Sequence, residues 1–174
     1  IVVDASEELS EQDVKIAGLA VEKGSAVILC VNKWDAVKKD DATVGAFVAD
    51  IRAKLKFLDF APIVFVSALT GQRVRKILEL IEGVYDQYTR RIPTAELNRQ
   101  AREFIAAHPP PRYGNRDNAV RYLTQAGVKP PTFIFFVKEP KGIHFSYERY
   151  LANQVRGVFG FEQVPLRIFF KRKS

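Results

Sequence analysis

Two short polar clusters each follow directly on an apolar run: Asn32-Lys33-Trp34-Asp35 after Ala26-Val-Ile-Leu-Cys-Val31, and Ser67-Ala68-Leu69 after Ile63-Val-Phe-Val66. An ionised Asp35 accepts two hydrogen bonds at once, and guanine offers a matching pair of donors in its ring N1–H and exocyclic amine. Adenine cannot supply both. A carboxylate withdrawn from water without those donors carries a desolvation penalty, so Asp35 is expected to select the base. In the same reading Asn32 bonds the base and ties its loop to neighbouring backbone, and the Lys33 stem covers a face of the ring. The Ala68 amide donates to the guanine carbonyl oxygen, Ser67 braces the Asp35 loop, and Leu69 belongs to the same second loop. Trp34 either shields the loop or packs beneath it. The tetrapeptide alone marks little more than a polar turn; its place after a strand, with Ser-Ala-Leu one helix and one strand later, makes it specific.

Such loops need a sheet to hold them. Residues 1–4, 26–31 and 63–66 read as short buried strands. Helical periodicity occupies 12–23, 42–58 and 74–88, with Ser10 as N-cap and Gly24 as stop for the first helix. The expected apolar stripes are Ile16, Leu19 and Ala20; then Val44, Phe47, Val48, Ile51, Leu55 and Leu58; then Val74, Ile77, Leu78, Ile81, Val84 and Tyr85. Continuous apolar strands between amphipathic helices specify a parallel sheet covered on both faces, an α/β fold that binds ligands at the carboxyl ends of its strands.

At Arg90-Arg91-Ile92-Pro93 the pattern changes, dividing the chain into residues 1–91 and 92–174. The second part predicts a small αββαβ unit. Its first helix starts at the N-cap Thr94, turns Leu97, Ala101, Phe104 and Ile105 inward, and ends before Pro109-Pro110-Pro111. Strands at 119–124 and 132–137 follow, then a helix over 147–158 and a strand at 166–171. Ser146 is the expected N-cap of the last helix, with Phe145 and Tyr150 at the staple positions. Phe133, Phe135 and Phe136 read as core, and Gly157 and Gly160 as the end of a helix rather than a backbone clamp.

Charge separates the two parts. Residues 1–91 hold 13 Lys and Arg against 14 Asp and Glu, whereas residues 92–174 hold 14 against 6, a net of +8. A basic excess confined to one part suggests that this part meets a polyanion, nucleic acid in preference to membrane because no basic amphipathic anchor is evident. Arg149, Asn153 and Arg156 share the polar face of the last helix, and Lys171, Arg172 and Lys173 form a basic tail; these six are the candidate RNA contacts. One cysteine, Cys30, excludes a disulfide framework and a multi-cysteine metal site. The composition fits a cytoplasmic location with no membrane anchor.

A phosphate-binding Gly-Lys-Ser/Thr loop is missing, since the chain contains no Gly-Lys dipeptide. With no methionine anywhere and a strand at its first residues, the sequence reads as a piece of a longer protein. Asp4-Ala5-Ser6-Glu7, Gln12-Asp13, Asn32 to Asp35 and Ser67 to Gly71 resemble the back half of a translation-factor-type GTPase domain. His108-Pro-Pro-Pro111, Pro130-Pro131-Thr-Phe133, Ser146-Tyr-Glu-Arg-Tyr-Leu151, Asn153-Gln154, Phe159-Gly160-Phe161 and Pro165 resemble the Der family, also called EngA. That resemblance implies two tandem GTPase domains followed by a KH-like domain, with residues 1–91 ending the second GTPase domain. It implies GTP and GDP as ligands, Mg2+ in the intact parent only, and the large ribosomal subunit and its rRNA as partners. The upstream GTPase domain would lie in the same parent chain, and the 174 residues alone would be inactive. The alternative is a nucleotide-independent RNA- or protein-docking fragment with a residual half G domain.

Overall fold

The computed structural model describes residues 1–38, 40 and 43–172. The chain divides into two compact units, Ile1–Asp86 with Gln163–Pro165, and Gln87–Glu162 with Leu166–Ser174. No helix among the described residues is long and apolar enough to cross a membrane.

In the first unit β1 (Val2–Asp4), β2 (Leu29–Asn32) and β3 (Ile63–Phe65) form a parallel sheet in that order. Val3 lies opposite Val31, and Val31 opposite Phe65. Three helices intervene or follow: α1 (Glu11–Glu22), α2 (Thr43–Lys54) and α3 (Val74–Thr89). Side chains alternate between two faces, and both are buried. Leu29, Val31 and Phe65 pack with Ala17, Ile51, Leu55 and Leu58, while Cys30, Val64 and Val66 pack with Ile77 and Leu80. That two-sided burial is why these strands read as continuous apolar runs.

Helix α1 begins with a capping box in which Ser10 and Asp13 bond reciprocally, and Gly24, at φ 75°, follows its end. Its buried stripe differs from the expected one. Ala17 is buried with Val14, Ala20 and Val21 against it, whereas Ile16 and Leu19 are exposed; a small residue at the contact centre lets the helix approach closely. Helix α2 stops at Lys54 and a 3-10 turn covers Lys56–Leu58, because Arg52 donates to the carbonyls of Leu58 and Ala61, each at 2.6 Å. Leu55 and Leu58 still reach the core. The expected start of α2 at Ala42 falls outside the described residues. Along α3, Val84 is buried but Val74, Leu78, Ile81 and Tyr85 are exposed, since three strands present only a narrow apolar strip.

The second unit contains α4 (Thr94–Ala107), β4 (Val120–Gly127), β5 (Thr132–Val137), α5 (Phe145–Phe159) and β6 (Arg167–Arg172). This is the expected αββαβ order. The sheet runs β4-β5-β6, with β4 antiparallel and β6 parallel to β5. Leu123, Phe133, Phe135 and Val137 are buried, as are Leu97, Ala101 and Phe104 of α4 and Tyr147, Leu151, Val155 and Phe159 of α5. Asn98 fastens α4 to the edge of β4, donating to the Leu123 carbonyl at 2.7 Å and accepting the Leu123 amide at 2.8 Å.

The caps of both helices fall before the expected ones, by one residue in α4 and by two in α5. Pro93 is the cap of α4 and Thr94 its first residue, while His144 caps α5 and accepts the Ser146 amide. Phe145 is 70% exposed, with its ring beside that of His144 at 4.2 Å. Tyr150 instead donates its hydroxyl to the Phe104 carbonyl at 2.6 Å, joining the two helices. Gly160 ends α5 in the left-handed region at φ 70°, where a Cβ would also meet the Arg90 guanidinium.

Candidate functional site

The register that sets Asp4 opposite Asn32 brings the ends of β1 and β2 to one edge, and β3 ends beside them. Here the chain makes a sharp turn. Lys33 adopts φ 59°, a left-handed conformation uncommon for a non-glycine residue, and residues 32–35 alternate, with Asn32 half-buried, Lys33 exposed, Trp34 buried and Asp35 exposed. Trp34 is buried against Phe47 and Phe65, with ring centroids 5.1 and 4.4 Å away, and its amide donates to the Val66 carbonyl at 3.1 Å. Its role is packing, and that packing fixes Asn32 and Asp35 on either side.

Asp35 accepts a hydrogen bond from the Ser67 hydroxyl, and Ser67 Oγ itself accepts the Thr70 amide at 3.1 Å. Ser67 is fully buried while Asp35 is exposed, so an anchored hydroxyl aims a solvent-facing carboxylate. Only one of the roughly four acceptor sites of an ionised carboxylate is thereby used. Asn32 Oδ1 accepts the Ala68 amide at 3.0 Å, so that amide is engaged within the protein rather than held ready for a base carbonyl. Leu69 is 87% exposed and makes no part of the apolar core. The structure thus joins Asn32, Asp35, Ser67 and Ala68 across two adjacent loops.

Asp4 joins the same edge, although the sequence reading gave it no role there. Its carboxylate forms an ion pair with Lys33 and accepts the Ser6 amide and hydroxyl at 2.8 and 2.6 Å. The Lys33 ammonium foremost, with the two Ser6 donors, pulls the Asp4 carboxyl down to about 2, and Asp4 in turn raises the Lys33 ammonium. The signal was a carboxylate at the end of a strand adjacent and parallel to the one carrying Asn32. Among the described residues no group of three or more His, Cys, Asp or Glu side chains is placed to hold a metal.

The candidate RNA contacts fall in different settings. Arg149 and Asn153 are exposed on α5, whereas Arg156 donates to the Phe161 carbonyl at 3.0 Å and is half-buried. The αL turn at Gly160 folds the chain back to that guanidinium, so Arg156 holds the helix end together. Lys171 and Arg172 are exposed on β6, and Lys173 lies outside the described residues.

Residues 1–87 match the family described as elongation factor Tu GTP binding domain, and residues 91–171 match the KH-domain-like C-terminal domain of EngA bacterial GTPase enzymes. GTPase Der of Desulfitobacterium hafniense is 50% identical over 174 residues, all of this chain and 40% of that protein. GTPase Der of Desulforamulus reducens is 48% identical and that of Geotalea daltonii 49% identical, again over 174 residues and 40% of each relative. The chain therefore spans about 40% of the length of the curated relatives it matches. Among solved structures, Era in complex with MgGDPNP and nucleotides 1506–1542 of 16S ribosomal RNA matches loosely, with 16% identity and a TM-score of 0.41 over 99% of this chain and 64% of its own. An identity near one half across every residue, with a GTP-binding segment joined to an EngA-type KH-like domain, places the chain in the Der (EngA) family of bacterial GTPases.

Proposed function

We propose that residues 1–91 supply guanine recognition to a longer GTPase that acts in assembly of the large ribosomal subunit, and that residues 92–174 are its RNA-binding module. The single observation that carries the nucleotide reading is the bracing of Asp35 by a buried Ser67 from the neighbouring strand's loop. A carboxylate held in place at the carboxyl edge of a parallel sheet matches the paired donors of guanine, with Asn32 and Ala68 beside it and Lys33 flanking the turn. GTP and GDP are the ligands this donor set fits. Mg2+ belongs with a phosphate-binding segment of the parent, and the 174 residues alone do not turn over GTP.

The basic excess of residues 92–174 supports the second half of the reading, with the ribosome and its rRNA as the polyanion and Arg149, Asn153, Lys171 and Arg172 as exposed phosphate contacts. Arg156 serves mainly through the Phe161 carbonyl. Cytoplasmic action alongside ribosomes follows from the same reading. The test is competition binding by the parent protein with labelled GDP. Guanine nucleotides should displace the label and adenine nucleotides should not; failure to bind any nucleotide would leave the docking-fragment alternative.

A further inference from the structure

The outer face of the second unit's sheet takes no part in the core. Strand alternation buries Leu123, Gln125, Phe133, Phe135 and Val137, so Tyr122, Phe136, Phe169 and Lys171 stand on the opposite face. Pairing places Tyr122, Phe136 and Lys171 in one cross-strand row, and Thr124, Ile134 and Phe169 in the next. The Tyr122 and Phe136 rings stack at 4.2 Å with 14° between their planes. Phe169 is 50% exposed, and Lys171 is exposed. The three strands carry Arg121, Arg167, Lys171 and Arg172 and no Asp or Glu at all.

Aromatic rings on an open, purely basic sheet face suit one occupant better than others. The centre of a protein interface is depleted of lysine, yet Lys171 shares a row with both stacked rings. A nucleic-acid strand uses both features, because every base has a π-face and every linkage a phosphate. Bases in a duplex are already stacked on one another, so the strand must be unpaired. Rows two residues apart lie about 6.6 Å from each other along the strand, which lets neighbouring splayed bases use successive rows. We propose that the outer face of β4, β5 and β6 binds single-stranded RNA, with bases stacking on Tyr122, Phe136 and Phe169 and phosphates meeting Lys171. The proposal rests on the reading of this unit as an RNA module and names which face and which form of RNA it takes.

The test is fluorescence anisotropy of the 174-residue chain with a labelled oligouridine of about twelve nucleotides and with a duplex of the same length. Phe169→Ala, at a half-exposed position that keeps the fold by circular dichroism, should weaken single-strand binding about tenfold. Lys171→Ala should weaken it and lower the salt slope by about 0.7. Phe169→Trp should preserve affinity, and its emission should be quenched by the oligonucleotide, since the one native tryptophan, Trp34, is buried. Arg99→Ala, at an exposed position on α4, should change single-strand affinity less than about twofold. Unchanged affinity in a folded Phe169→Ala variant, equal affinity for the duplex, or a loss in the Arg99→Ala variant as large as in Phe169→Ala overturns the proposal while the RNA reading stands. No RNA binding by the unsubstituted chain overturns both and leaves a protein as the occupant of the face.

Discussion

Ser67, wholly buried at the end of β3, donates its hydroxyl to Asp35, which is exposed after β2 and 32 positions earlier in the chain. One strand thereby controls the carboxylate carried by the loop after its neighbour, and in the proposed guanine reading recognition of the base would depend on the sheet rather than on the tetrapeptide alone. Replacing Ser67 with Ala removes the donor to Asp35 and the acceptor of the Thr70 amide together. The stability of the 174-residue chain to urea should fall by about 1–3 kcal/mol. Guanine nucleotide affinity of the parent should fall with it, although no base-contacting atom has been removed.

The Asp4–Lys33 pair sets a pH dependence. The Asp4 carboxyl titrates at about 2 in the folded protein against an ordinary 3.8, so the pairing favours the folded state at pH above 3.8 and its contribution is lost as pH falls through about 2. The Asp4 carboxyl carbon shift, followed by NMR, should show its midpoint near the lower value. Lys33→Ala and Ser6→Ala should each move the midpoint upward, Lys33→Ala the more.

Gly157 and Gly160 have the spacing of a backbone clamp but unlike surroundings. Nothing lies within 4 Å of a Cβ placed at Gly157, whereas Gly160 combines φ 70° with the Arg90 guanidinium. Gly157→Ala should be tolerated or stabilise α5 by up to about 1 kcal/mol, and Gly160→Ala should destabilise by at least about 1–2 kcal/mol. Thermal unfolding measures both. A Gly157→Ala variant that stays folded and loses RNA affinity would return the clamp role to this pair.

Arg156 and Arg149 should separate in the same assay. Arg156→Ala removes the donor to the Phe161 carbonyl and should cost about 1 kcal/mol, while the exposed Arg149→Ala should leave stability within about 0.5 kcal/mol.

Much of this arrangement was legible before any coordinates. Leu29 to Val31 and Ile63 to Phe65 are apolar on both sides because helices cover both faces, and that pattern survives in sequence without knowledge of partners. The loops after these strands had to share an edge once the sheet was parallel, which is why Asn32, Asp35, Ser67 and Ala68 could be grouped. What escaped depends on contacts that no single segment carries. Asp4 meets Lys33 only because β1 pairs with β2, and Arg156 leaves the polar face of α5 only because the turn at Gly160 returns the Phe161 carbonyl to it. The stripe of α1 slipped from Ile16 and Leu19 to Val14, Ala17 and Val21 because two helical stripes were available and closeness of packing chose the one with alanine at its centre.

Base selection by Asp35 is the centre of the functional account, and one exchange tests it most directly. In the parent protein Asp35→Asn replaces a double acceptor by a group that donates as well as accepts. Equilibrium binding of GDP and XDP to the parent and the variant should show guanine affinity reduced by about 1.5–3 kcal/mol and xanthine affinity gained. Guanine binding unchanged by the substitution, with no gain for xanthine, would contradict the role given to Asp35.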